Sequence, residues 1–311
     1  MSCFALRVMK VLLIGGDKNF ITPGTEAYKR YELQKSAVDQ LDAFVWPRVH
    51  SAWHIYRVAR KNHYEVITAQ DPFWRGLLGW KVARLTGAKL NIQVHADLEG
   101  QSFIKHILAQ IILRHADSVR VVSGKLKQQV ERMGARNVNV LPIFIDTTSF
   151  RSIQPRPHEQ KTILWVGRFE AEKDPLLAIE IFRAVRVSID AKLIMLGKGT
   201  LESDLHTHVT KLPVEFPGWQ DPVLYLETAD VVLSTSKHES WGASIVEALA
   251  AGVPVVAPDI GIAKEAGAIV VPRNELADAV IKVLKEGSRG ELKISLLDKE
   301  EWVKRWCETL V

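Results

Sequence analysis

Val231 to Pro258 reads VVLSTSKHESWGASIVEALAAGVPVVAP. Val231 to Leu233 is a short apolar run of strand type, and Ser234 to Gly242 is a polar, glycine-bearing turn. Small residues from Ala243 to Ala251 then favour a helix, which Gly252 and Pro254 stop before a second apolar run, Val253 to Ala257. Strand, loop, helix, strand is the unit from which parallel sheets are built. Two carboxylates, Glu239 and Glu247, bracket the loop and the start of the helix. The flanks of Glu247 (Ile245, Val246, Ala248, Leu249) are apolar, so it does not face bulk water unopposed.

The rest of the chain repeats this grammar. With 311 residues, there is room for two domains of roughly 150 residues each. Hydrophobic residues make up 47% and charged residues 25%, the balance of a soluble globular protein. Cys3 and Cys307 stand at opposite ends, which gives no disulfide framework and no metal-type spacing and fits a reducing, cytoplasmic setting. No apolar run approaches the ~18 residues of a spanning helix. The opening MSCFALRVMKVLLIGG lacks the charged start of a signal peptide, and Arg7 and Lys10 interrupt it. Residues 1–8 are therefore expected to be an extension before the first strand.

The net charge of +5 conceals an asymmetry. Residues 1–150 hold 21 Lys and Arg against 12 Asp and Glu, whereas residues 151–311 hold 20 against 24. A basic first half points to an anionic partner: nucleic acid, a membrane surface or a phosphorylated substrate. Solvated charge with no partner is the plainer alternative.

Taken in order, Lys10 to Ile14 is a buried parallel strand that ends at Gly15-Gly16, and Thr22-Pro23-Gly24-Thr25 turns into a helix capped by Thr25. Glycine at such a junction lets a phosphate approach backbone N–H groups, although a simple tight turn reads the same way. The GxGxxG fingerprint of nicotinamide dinucleotide sites is missing. Strands are expected at 44–46, 65–69, 90–94, 118–122 and 138–141. Helices are expected at 51–61, from Asp71-Pro72 to Leu85, at 103–115, and up to Met133. The helix at 51–61 mixes Trp53 and Tyr56 with Arg57, Arg60 and Lys61; it is read as rings in the core and charges in solvent, with a membrane-contacting surface as the alternative. His95 follows the strand Leu90 to Val94, at the carboxyl edge where open α/β sheets place ligands. Phe150 to Glu159, with Pro155 and Pro157, reads as the linker. The second half restarts with a strand at 162–166, the loop Gly167 to Asp174, and a helix from Pro175 through Arg186. A strand at 192–196, a helix at 201–212, a strand at 214–216 and a small helix at 222–227 follow. Two such halves imply a cleft between them that suits a small molecule.

Arg168 and Lys173 lie five residues apart in the loop after a strand, where they could neutralise a diphosphate or form surface salt bridges. Glu170 and Glu172 are read as the solvated face of that loop. Gly242, Ala243 and Ser244 open the helix of the first-quoted stretch, and the free N–H groups there suit an anion. Glu239 can accept sugar hydroxyls, and Glu247, one turn in, can either reach a ribose or be an ordinary helix glutamate.

The stretches TAQDPF, VHADLEG, VGRFEAEKD, LGKGTLESDL, VEFPGW and ADVVLSTSKHESWGASIVEALAAGVPVVAPDIG together resemble the family-4 type of retaining glycosyltransferases. The resemblance covers nearly the whole chain and is most specific over 164–261, where Glu239 and Glu247 form an E-x7-E pair. It implies the GT-B fold, α/β with two facing Rossmann-like, doubly wound parallel-sheet domains and an interdomain cleft. The domains are expected at 1–152, for the acceptor, and 153–311, for the nucleotide-sugar donor. The last helix, about 299–310, is expected to cross back to the first domain. The resemblance further implies that Arg168 and Lys173 bind the donor diphosphate, Glu239 the transferred sugar and Glu247 the nucleoside ribose. His95 is expected near the reaction centre, and Gly24 is expected to approach the phosphates. Ser240 stands where the family most often has glycine, and the first domain is short between Ala37 and Tyr64.

The expected activity is metal-independent, retaining transfer of a hexosyl group from a UDP- or GDP-linked sugar to an acceptor hydroxyl, without a cofactor. A glycan, a lipid-linked molecule and a small molecule are the acceptor classes left open; the leading one is lipid-linked or at an anionic membrane surface, met peripherally at its inner face through the basic half. An epimerase or phosphorylase on the same fold, or a non-catalytic basic binding protein, are the alternatives. A phosphorylase would need a cofactor-bearing lysine and a longer chain, and the helices lack the base-reading surfaces of a nucleic-acid module, so no nucleic-acid partner is expected.

Overall fold

Strands that read as unbroken apolar runs need a helix on each face, and each half of the chain supplies that arrangement. The computed structural model describes residues 9–47 and 49–311 (of Glu26, the backbone only), so the extension expected at 1–8, Cys3 included, lies outside the described residues. The chain divides into two units, one running through Phe144 and including Leu297–Val311, the other Ile145–Leu296.

The first unit alternates β1 (Lys10–Gly15), α1 (Glu26–Lys35), β2 (Gln40–Val45), α2 (Ala52–Asn62), β3 (Val66–Ala69), α3 (Trp74–Thr86), β4 (Lys89–Val94), α4 (Phe103–His115), β5 (Ser118–Val121), α5 (Gly124–Arg132) and β6 (Val138–Val140). Its sheet is parallel in the order β2-β1-β3-β4-β5-β6. The order reverses at β1, and right-handed crossovers then place α1 on one face and α2 to α5 on the other. The local signals explain the helix ends: Thr25, Ser51 and Ser123 cap α1, α2 and α5 through their hydroxyls, and Gly87, in the left-handed region, closes α3.

The second unit holds α6 (Thr148–Arg151), β7 (Lys161–Val166), α7 (Pro175–Arg186), β8 (Ala191–Leu196), α8 (Glu202–His208), β9 (Val214–Gly218), α9 (Val223–Leu226), β10 (Val231–Leu233), α10 (Ala243–Ala250), β11 (Val255–Ala257), α11 (Ala263–Ala266), β12 (Ile269–Val270) and α12 (Leu276–Glu286). Its parallel sheet runs β12-β11-β10-β7-β8-β9. The reversal falls between β7 and β10. Both sheets are thus Rossmann-like. The closing helix, α13 (Lys299–Glu308), buries Trp302 and Trp306 in the first unit's core, with Leu310 just beyond it and with Val11, Leu13 and Leu41.

Three expectations are corrected. The stretch 150–159 is a free linker only in part: Phe150 and Ile153 are buried and the Arg156 N–H donates to the Glu227 carbonyl at 2.8 Å, whereas Pro155 and Pro157 are exposed, as expected of a linker. The second strand starts at Gln40, four residues earlier than its aromatic core suggested, because Leu41 packs into the sheet face with α13. Trp53 is 66% exposed and so is not a core ring, although Ile55 and Ala59 of the same helix are fully buried.

Candidate active site

In the second unit the loops after β7 and β10 leave the sheet at its switch point, where an open α/β sheet leaves a crevice. Each loop is held from several sides. The β7 loop hangs on the neighbouring strand end through Gly167 N–H to the Leu196 carbonyl (3.0 Å) and Phe169 N–H to the Lys198 carbonyl (3.0 Å). Glu170 accepts from the backbone N–H (3.1 Å) and hydroxyl (2.7 Å) of Thr200, and these two donors hold its carboxyl below the usual range. Glu170 is therefore a clamp on Thr200 that still lies on the solvated side of the loop. Glu172 pairs at 2.7 Å with Arg168, and its carbonyl accepts from the Lys237 N–H at 2.8 Å.

Thr235, fully buried at the end of β10, joins the two loops. Its hydroxyl accepts from the Trp165 indole (2.9 Å) and lies 2.9 and 2.8 Å from the carbonyls of Lys173 and Asp174. Arg273 adds a second tie, donating to the Thr235 carbonyl at 2.7 Å and the Ser236 carbonyl at 3.2 Å, and pairing with the Asp174 carboxylate. With both backbones fixed, the Lys173 ammonium meets the Glu239 carboxylate, which also accepts from the Ser236 hydroxyl at 3.0 Å. The pair is largely shielded, with side chains 20% and 14% exposed, so its field is stronger than that of a surface ion pair.

Beyond Glu239 the backbone reaches α10 through Gly242, whose φ of 103° suits glycine and no larger residue. Ser240 carries no such strain, since among the described residues the positive φ values of non-glycine residues fall elsewhere. The chain path after Glu239 therefore needs no glycine at 240. Gly261 lets the next segment close in beneath, because a Cβ there would lie 2.3 Å from the Trp241 carbonyl and 3.1 Å from the Glu239 Cβ. Ala243 and Ser244, half-buried, begin α10 with N–H groups that have no acceptor within the helix. Glu247 is half-buried one turn further on. The structure therefore joins Lys173 to Glu239 and sets them before a helix start. It leaves Arg168, 61% exposed, on Glu172 instead.

The first unit carries the other two residues. Gly24 has a φ of 86° in the turn before α1, with open space where a Cβ would be. His95, half-buried at the end of β4, shares a small recess with Phe20, Arg30, Gln34, Arg120 and Trp302. Its Nε2 lies 3.3 Å from the Gln93 Oε1. Arg120, buried in β5, donates to Gln93 Oε1 (2.9 Å) and to the carbonyls of Leu141 (3.1 Å) and Pro142 (2.9 Å), and its guanidinium lies 5.4 Å from the Trp302 ring. Burial, then the charges of Arg120 and Arg30, push the His95 pKa down to about 3, so the imidazole is neutral across the physiological range. Burial and Arg30 also lower Arg120, to about 9.

A pH effect follows from His95. Its unfolded pKa is near 6.5, so between about 3 and 6.5 the unfolded chain binds a proton that the folded chain does not. The stability contributed by the neutral imidazole is complete above pH 6.5 and is lost as the pH falls toward 3. His95→Gln is expected to flatten the loss of stability on acidification. Denaturant midpoints at pH 7 and pH 5 check this, and equal losses in parent and variant would refute it.

Residues 160–286 match the model of "Glycosyl transferases group 1", and residues 19–149 match that of "Glycosyltransferase Family 4". A GDP-mannose-dependent alpha-(1-6)-phosphatidylinositol dimannoside mannosyltransferase of Mycobacterium tuberculosis is 30% identical over 45% of this chain and 40% of its own length. An N-acetyl-alpha-D-glucosaminyl L-malate synthase of Bacillus anthracis is 21% identical over 79% of this chain and 72% of its own. The chain thus spans less than half of the first relative and most of the second. Among solved structures, sucrose-phosphate synthase of Thermosynechococcus elongatus superposes with a TM-score of 0.74 at 15% identity, over 97% of this chain and 95% of that one. HepE of Anabaena, solved with UDP and glucose, gives 0.73 at 17%, over 97% and 99%. These likenesses fit the two Rossmann-like units of the GT-B fold. With one model matched over each half, the chain belongs to the family-4 type of glycosyltransferases.

Proposed function

We propose that the protein is a retaining, metal-independent hexosyltransferase that moves a sugar from a nucleoside-diphosphate donor to an acceptor hydroxyl. The observation that carries this reading is the Lys173–Glu239 pair, held between two laced loops in front of the α10 start. An ammonium and free helix N–H groups suit the diphosphate, and a fixed carboxylate suits the sugar hydroxyls. In the reaction, the bond between the anomeric carbon and the diphosphate oxygen breaks. The acceptor oxygen bonds to that carbon on the same face, and its proton passes to the leaving phosphate. Lys173 and the N–H groups of Ala243 and Ser244 stabilise the charge that builds on the diphosphate. Arg168 joins them after leaving Glu172, which is a modest step for an exposed ion pair. Glu247 is assigned to the ribose. In the first unit, neutral His95 is assigned to the sugar and the Gly24 turn to the phosphates.

UDP- and GDP-linked sugars are the donors to try first, since the mannosyltransferase relative is GDP-mannose-dependent and HepE was solved with UDP. No cofactor enters this scheme. The acceptor is proposed to be lipid-linked, at the cytoplasmic face of a membrane. A phosphatidylinositol dimannoside mannosyltransferase and an alpha-monoglucosyldiacylglycerol synthase among the relatives support that choice. Among the described residues no helix is long and apolar enough to cross a membrane.

The test is donor-dependent melting. A nucleotide sugar at about a hundred times its Kd is expected to stabilise the protein by about 2.7 kcal/mol, a shift of several degrees. Duplex DNA is expected to give none. A shift with DNA and none with any nucleotide sugar would overturn the reading in favour of a basic binding protein.

A further inference from the structure

Helices α2, α3 and α4 lie side by side on one face of the first sheet. Together they hold eight Lys and Arg and no Asp or Glu. Among the described residues only Arg75 of these eight is in an ion pair, with Asp71. Arg57, Arg60, Lys61, Lys81, Arg84 and Arg114 are exposed. Cations at helix carboxyl ends complement the dipole, which accounts for Arg60, Lys61, Arg84 and Arg114. It does not account for the complete lack of carboxylates, since ordinary helix surfaces mix both signs.

The same three helices carry seven of the fourteen exposed large hydrophobic side chains among the described residues. Trp53 on α2 is 66% exposed, and α3 adds Trp74 and Leu85. On α4, Phe103, Ile107 and Ile111 repeat at the i, i+4, i+8 spacing of one helix stripe, with Ile104 beside them; Phe103 is 78% exposed. The buried face of α4 is separate, formed by Ala109, Ile112 and Leu113. Each helix starts where its preceding strand ends. Trp53, Trp74, Phe103 and Ile104 therefore lie toward the carboxyl edge of the sheet, the edge that also carries His95. Most of the exposed cations lie further along the helices.

We infer that the α2–α3–α4 face docks onto an anionic lipid bilayer, the rings and isoleucines seated at the headgroup level and the cations paired with lipid phosphates. Exposed apolar side chains at one end of the helices with Lys and Arg further along the same helices are the pattern of an interfacial surface. A nucleic-acid backbone would satisfy the cations but would leave Phe103, Ile104 and Ile107 without an apolar partner. The purpose rests on the proposed transfer reaction: a protein docked this way would meet a lipid-linked hydroxyl at the edge of the sheet where His95 lies.

The test is co-sedimentation of the full chain with phosphatidylcholine vesicles, with and without phosphatidylglycerol. Binding is expected to require phosphatidylglycerol and to weaken with salt. Arg57→Gln with Arg60→Gln is expected to weaken it about 25-fold, at about fivefold per cation near the surface. Ile104→Asp with Ile107→Asp is expected to weaken it tenfold or more. All four positions are exposed, so unchanged melting of the variants shows that folding is not the cause. Equal binding to both vesicle types, no binding at all, or duplex DNA binding lost in step with vesicle binding would each overturn the inference. Nucleotide-sugar melting shifts on the same variants separate the two readings: vesicle binding without a sugar response sinks the transfer reaction and leaves the surface standing. A sugar response without vesicle binding does the reverse.

Discussion

Lys173→Ala is expected to lower the rate of sugar transfer by about 10²–10³-fold while leaving the fold in place. Lys173 combines two roles that are separable in kinetics. It supplies positive charge where the leaving diphosphate gathers negative charge, a gain that grows through the reaction and so appears in kcat. It also holds the Glu239 carboxylate, whose other side-chain partner here is the Ser236 hydroxyl at 3.0 Å. Lys173→Arg keeps the charge on a longer, forked group, so it is expected to retain part of the rate. Glu239→Gln keeps the shape and the Ser236 contact and removes the charged acceptor, so its loss is expected to depend on the sugar as well as on kcat. The backbone at 173 is fixed by Thr235 and not by the lysine side chain, so the melting temperature of Lys173→Ala is expected to stay within a few degrees of the parent. Full activity in this variant at ordinary donor concentrations would sink the assignment of the site.

The reading of the chain from its sequence rests on signals that are local in kind. Alternation of apolar runs with helical stretches predicted a parallel α/β sheet in each half, and α4 at Phe103–His115 and α7 at Pro175–Arg186 have the bounds expected for them. What stayed hidden is the lacing of the site. Lys173 and Glu239 are 66 residues apart, and Arg273 reaches Asp174 across 99, so neither pair has a local pattern. Thr235, Ser236 and Thr200 look like ordinary loop residues until the fold brings carbonyls and carboxylates to them. Asp174, at a φ of 50°, is a strained non-glycine residue at the N-cap of α7, held by Arg273. Arg120 did leave a trace: an arginine inside the apolar run SVRVV must either end the strand or find buried acceptors. It found three, and its charge is one reason His95 is neutral. Trp53 misled for the opposite reason, because an aromatic ring on an amphipathic helix is assigned to the core by default, whereas this one faces outward.

Trp302→Ala is expected to destabilise the first unit by about 3–5 kcal/mol, the range for deleting a large buried ring. The residue is 2% exposed on α13, and three losses coincide. The ring leaves a void among the residues around Leu141 and Phe144. The indole N–H no longer donates to the Pro142 carbonyl, a 2.8 Å bond, although Arg120 still donates to the same oxygen. The Arg120 guanidinium loses the aromatic face on which it rests, inside a site that already disfavours its charge. Trp302→Phe separates these contributions. It keeps most of the ring and the cation–π contact and drops the indole donor, so its cost is expected to be about 1–2 kcal/mol. Denaturant unfolding of both variants checks the ranking. If the alanine variant were as stable as the phenylalanine one, α13 would lie over the first sheet without completing its core, and the recess around His95 would not depend on it.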